Sequence, residues 1–119
     1  MAEPDVIDRA ALDDLLETTG RDPAFLAVLI DTYLDDSVGL LAAIRRAITD
    51  ADAAAVRRAA HSLKSNSASF GARTLVSMCQ ELEQLARVGI LEGATGRLAD
   101  IEAAYAEVER ELRTLRPVN

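Results

Sequence analysis

The sequence predicts an all-α protein: an antiparallel up-down four-helix bundle with an additional short N-terminal helix. Three observations lead there. Apolar residues make up 50% of the chain while aromatics reach only 3%, and the apolar set is dominated by Ala and Leu, both good helix formers. Those apolar residues recur at spacings of three and four through four long stretches, the period of an amphipathic helix. The prolines, Pro4, Pro23 and Pro117, all fall at or beyond the ends of those stretches, where a helix tolerates them. The β-branched residues and Tyr are too scattered to build a sheet.

Five segments follow from the punctuation. Asp8 can cap the first, over about 8–19. Its Leu12, Leu15 and Leu16 share a face, and Gly20 ends it. The second, over about 22–50, opens with Asp22 as cap and Pro23 as first helical residue. Its stripe is Leu26, Leu29, Ile30, Tyr33, Leu34, Leu41, Ile44 and Ile48, with Gly39 a weak point mid-run. Asp50 or Asp52 caps the third, over about 52–69, with Val56, Ala59, Ala60, Leu63 and Ser67 facing the core and a turn at Gly71. The fourth, about 71–88, turns Leu75, Met78, Cys79, Leu82 and Leu85 inward and stops at Gly89. The fifth, about 94–116, carries Leu98, Ile101, Tyr105, Val108, Leu112 and Leu115. Four long amphipathic helices with short connections pack as an antiparallel bundle. The first segment is too short to be an equal member and is expected to cap one end. The 119 residues amount to one domain, 1–119.

Composition removes several function classes. A net charge of -7 argues against nucleic acid, whose phosphates need clustered Lys and Arg, and against an anionic membrane surface. Cys79 is the only cysteine, so neither an internal disulfide nor a multi-cysteine zinc site is available. The acidic start lacks signal-peptide features, and no apolar run approaches the roughly 20 residues that span a bilayer. The expected location is the cytoplasm. Acidic residues are spread along the helices, and one histidine cannot make a paired Glu-x-x-His metal site. No Gly-rich phosphate loop is present, so self-phosphorylation from ATP is not expected.

His61 is the one histidine. On a wheel at 100° per residue with Val56 at zero, the core residues of the third segment fall within about 60° while His61 falls near 140°. Ser65 and Ala68 share its outer sector, and Lys64 and Arg57 lie between that sector and the core. The imidazole is therefore expected to be exposed, with short side chains C-terminal to it and two cations beside it. Taken alone, these residues also describe a solvated surface histidine with filler neighbours. As a chemical site they suit phosphoryl acceptance. Neutral imidazole is a nucleophile near pH 7, its reference pKa being about 6.5. In-line approach to phosphorus needs small neighbours, and cations offset phosphoryl charge.

The run His61-Ser62-Leu63-Lys64-Ser65-Asn66-Ser67-Ala68-Ser69-Phe70-Gly71-Ala72, followed by Leu75, Cys79, Leu82 and Glu83, resembles the signature of histidine phosphotransfer (HPt) domains of two-component phosphorelays. The resemblance implies that His61 is the phosphoacceptor, modified on the ring nitrogen facing solvent. It implies that Lys64 favours the phosphorylated state and contacts the partner. Glu83, at a position often Gln in the family, would hydrogen-bond the other ring nitrogen, although a helix-surface glutamate also reads as simply solvated. Arg87 matches a basic position near the site. Ser65 departs from the family's usual glycine. Cys79 reads as core, and Phe70 with Gly71 as the end of a helix.

The resemblance further implies a phosphorelay intermediate that accepts a phosphoryl group from a receiver-domain aspartate and passes it to another. It would be a phosphocarrier without cofactor of its own, the Mg2+ belonging to the partner receiver domain, and most simply a monomer. Partners would be receiver domains of hybrid sensor kinases and response regulators, docking around His61 on Ser65, Ala68 and exposed residues such as Leu12 and Leu16. Two rival classes are a scaffolding bundle and a hydrolase with His61 as general base, for which Ser65 at i+4 is the only nearby nucleophile.

Overall fold

The computed structural model describes residues 6–117, and those form five helices: α1 (Arg9–Thr18), α2 (Pro23–Thr49), α3 (Ala53–Ala68), α4 (Arg73–Arg87) and α5 (Ala94–Leu115). The first three start where local chemistry starts them. The carboxylates of Asp8, Asp22 and Asp52 accept hydrogen bonds from the N–H groups of Ala10, Ala24 and Ala55 at 3.1, 3.0 and 3.0 Å, each satisfying a donor that the first helical turn leaves without a partner. Pro23 occupies the first turn of α2. α4 and α5 have no side-chain cap; Gly71 and Gly93 precede them with φ of +70° and +77°.

The long helices close a ring. α2 packs on α3, α3 on α4, α4 on α5, and α5 returns to α2. Short turns make consecutive helices antiparallel, giving the up-down bundle expected. Its centre is filled by Ile30, Ile44, Val56, Leu63, Leu75, Leu82, Ile101 and Leu112, all fully buried. Each such aliphatic side chain contributes about 1.5–3 kcal/mol relative to exposure. Among them sits a small polar network. The Tyr33 hydroxyl and Ser67 Oγ are 2.7 Å apart, and the Ser37 hydroxyl donates to the Tyr33 carbonyl at 2.7 Å. It is fully satisfied, as a buried network must be.

α1 lies across the end of the bundle where α3 turns into α4. The Asp8 N–H donates to the Gly71 carbonyl at 2.8 Å, and Arg73 reaches the Asp8 carboxylate at 2.6 Å. Ile7 and Leu12 plug into the core, at 1% and 5% exposure. Leu12 is therefore not part of an exposed docking face, contrary to the sequence reading: in so short a helix, the face that looks free is needed to hold it down. Leu16 is half-buried against the same core.

Candidate functional site

Helical phase puts His61 on the outer side of α3, while Leu63 and Ala60 beside it are fully buried. Its side chain is 55% exposed. One edge of the ring is held: Nδ1 lies 2.8 Å from Glu83 Oε2 on α4. The other oxygen of that carboxylate, Oε1, accepts from Lys64 Nζ at 2.6 Å. Glu83 thus bridges the histidine and the lysine, and is itself only 7% exposed.

The protonation states follow. Burial alone would push the Glu83 carboxyl up; the hydrogen bonds from Lys64 and His61, with their charges, outweigh it and hold the carboxyl below its ordinary value. An ionised carboxylate only accepts. Nδ1 must then carry a proton, and in the neutral ring Nε2 is the bare nitrogen. Among the described residues Nε2 has no hydrogen-bond partner. Carboxylate, imidazole and open nitrogen in this order make an oriented nucleophile.

Beside the ring lies a wide, shallow cleft between α2 and α3, lined by Asp36, Gly39, Leu40, Ser62, Ser65 and Asn66. Ser65 and Ala68 are exposed, in the outer sector with His61. The structure therefore brings together His61, Lys64, Glu83 and Ser65. It makes no hydrogen bond or ion pair between these and Arg57 or Arg87 among the described residues. Asp36 and Leu40 do not stand out in the sequence, and Asn66 appears there only within the signature run, because the facing register of α2 and α3 cannot be read on a single-helix wheel. Gly39 was visible only as a weak point in α2. Cys79, one turn before Glu83, is fully buried, and desolvation pushes its thiol up to about 12. It is an inert core residue.

Among the described residues no group of His, Cys, Asp and Glu could hold a metal ion, and no helix is long and apolar enough to cross a membrane.

Fold and site together define a class: a four-helix bundle displaying on its flank one solvent-facing imidazole backed by a carboxylate. The sequence profile of the Hpt domain matches residues 28–116. The chain is also similar in structure to histidine-containing phosphotransfer protein B (HptB) of Pseudomonas aeruginosa PAO1, with a TM-score of 0.87, 33% identity, and 96% of each chain covered. A search of curated proteins returned no match. The chain belongs to the Hpt domain family. Its role is histidine phosphotransfer in two-component signalling, as a carrier rather than a kinase.

Proposed function

We propose that His61 is the phosphoacceptor of a relay: it takes a phosphoryl group from the aspartyl phosphate of one receiver domain and gives it to the aspartate of another. The observation that carries this reading is the oriented ring, with Nδ1 2.8 Å from a buried carboxylate and the other nitrogen toward solvent. Nε2 attacks phosphorus in line. The N–P bond forms, the P–O bond to the donor aspartate breaks, and that aspartate leaves as carboxylate. Orientation by Glu83 fixes the tautomer before the partner arrives.

Lys64 places positive charge next to the ring, where it offsets the incoming phosphoryl group. Ser65 and Ala68 keep the approach low. The metal ion that such transfers need is the receiver's, so this chain works without a cofactor of its own. We place it in the cytoplasm as a monomer.

His61→Gln tests the assignment. The variant keeps its helicity and takes up no acid-labile, base-stable phosphate from a phosphorylated receiver domain. Uptake at the wild-type rate would remove His61 from the relay.

A further inference from the structure

The proton on Nδ1 has a second consequence, which rests on the reading of His61 as phosphoacceptor. Attack by Nε2 moves no proton. A ring carrying Nδ1–H becomes, on phosphorylation, a phosphoryl-imidazolium, with one positive charge on the ring and the donor aspartate released as carboxylate. For the phosphoryl group to leave again, the N–P bond must break and its electron pair return to Nε2. If Nδ1 still holds its proton, the leaving group is neutral imidazole. If Nδ1 has lost it, the leaving group is an imidazolide anion, far more basic and far slower to depart. Whatever keeps that proton in place keeps the phosphoryl group transferable.

We propose that Glu83 is a positioning residue for the second half of the reaction: its carboxylate retains the Nδ1 proton in the phosphorylated state, so that phospho-His61 stays a competent donor above neutral pH. The geometry is that of a buried acceptor 2.8 Å from Nδ1, which gains a full charge–charge attraction once the ring is cationic. An amide at 83 could accept the same hydrogen bond without the charge.

The other charged groups around the ring can be weighed. On α3, Lys64 binds the same carboxylate at 2.6 Å and dilutes its pull; Arg57 lies one turn earlier and makes no ion pair with Glu83. On α4, Cys79 is an uncharged thiol one turn before Glu83, and Arg87 one turn after it is exposed. On α2, Asp36 lines the cleft beside His61 and acts in the same sense as Glu83 from farther away. Among the described residues only Glu83 touches Nδ1.

The experiment charges the full-length protein with phosphoramidate and follows loss of phosphate by intact mass between about pH 5 and 10. In wild type the loss stays fast up to a pH above the imidazole reference value of about 6.5 and then slows. In Glu83→Gln the slowing sets in about one pH unit lower, a shift at the small end for an adjacent opposite charge because the site is half open to water. Lifetime at pH 8 is then about tenfold longer in the variant. Lys64→Met moves the slowing the other way, since it frees the carboxylate.

Superimposed profiles of wild type and Glu83→Gln overturn the proposal while leaving His61 as acceptor. Label on His61→Gln overturns the acceptor reading itself. Long-range 1H–15N NMR of phosphorylated wild type measures the same proton without a variant: a ring still protonated at about pH 7.5 supports the proposal, and one already neutral there refutes it.

Discussion

Replacing Gly71 by Ala tests the join between α1 and the bundle. Gly71 has φ of +70°, and a Cβ built there would lie 2.9 Å from the Asp8 carbonyl oxygen, the Asp8 Cβ and the Ala11 Cβ. Two costs add. The left-handed backbone alone costs an L-residue about 1–2 kcal/mol. The three contacts can then be relieved only by lifting the start of α1, which stretches the 2.8 Å bond from the Asp8 N–H to the Gly71 carbonyl, worth about 0.5–1.5 kcal/mol net. Gly71→Ala should therefore lose about 1.5–3.5 kcal/mol. The loss has a ceiling, because α1 can detach altogether and give up the burial of Ile7 and Leu12, about 3–6 kcal/mol gross before the released chain entropy is credited.

Gly89→Ala is the matched control. Its φ is +79°, but none of the described residues lies within 4 Å of a Cβ built there, so only the backbone cost applies, about 1–2 kcal/mol. Urea unfolding by circular dichroism at neutral pH measures both. An equal loss of stability in the two variants would refute the steric half of the argument. Phosphate uptake on His61 is expected to survive in Gly71→Ala, since Glu83 reaches the ring from α4 and Lys64 reaches Glu83 from α3, with no part taken by α1.

Further outcomes follow from the same structure. Tyr33→Phe leaves the buried Ser67 hydroxyl without its 2.7 Å partner and should cost about 1–2 kcal/mol in urea unfolding; adding Ser67→Ala should recover part of the loss, whereas strictly additive losses would deny the pair any coupling. Because the folded Glu83 carboxyl is held below its ordinary value of 4.5, it contributes stability that is present above that pH and lost as pH falls through the folded value. Glu83→Gln should accordingly flatten the acid limb of the stability–pH curve below about 4.5, and parallel limbs for the two proteins would count against the bridge. Gly39→Leu should raise stability by up to about 1 kcal/mol, as for any exposed mid-helix glycine, yet slow phosphate uptake from a receiver domain while leaving uptake from phosphoramidate unchanged; equal receiver rates would remove Gly39 from the docking cleft.

The parts of the fold that were legible in the sequence have local causes. Asp22-Pro23 starts a helix by hydrogen bonding and by a fixed φ, whatever packs around it. The stripe from Val56 to Ser67 gave both the core face of α3 and the outward direction of His61, because both are fixed by one helical period. What was misread depends on packing between elements. Leu12 reads as a surface residue in the sequence because α1 on its own has nowhere to bury it. Yet the signal was present: Ile7 and Leu12 stand at the N′ and N4 positions around the Asp8 cap, the pairing of a hydrophobic staple, and both are buried. Glu83 is the intermediate case. The α4 wheel puts it at the margin of the core, and only the distance to His61 across two helices decides that it bridges instead of standing in solvent.

Two glycines show how different pressures leave the same letter. At Gly71 the reason is inside the molecule: the chain itself fills the space where a side chain would go. At Gly39 no such reason exists among the described residues, since a Cβ there meets none of them within 4 Å and the backbone is ordinary α2 helix. A residue that weakens a long helix by up to about 1 kcal/mol relative to Ala, with no internal demand for it, calls for an external one. Gly39 lines the cleft into which His61 opens, across from the short side chains of Ser62 and Ser65. With His61 as the proposed phosphoacceptor, the low wall on α2 and the low wall on α3 would serve one approach, and the bundle would forgo helix stability where a partner brings its phosphoryl group to the ring.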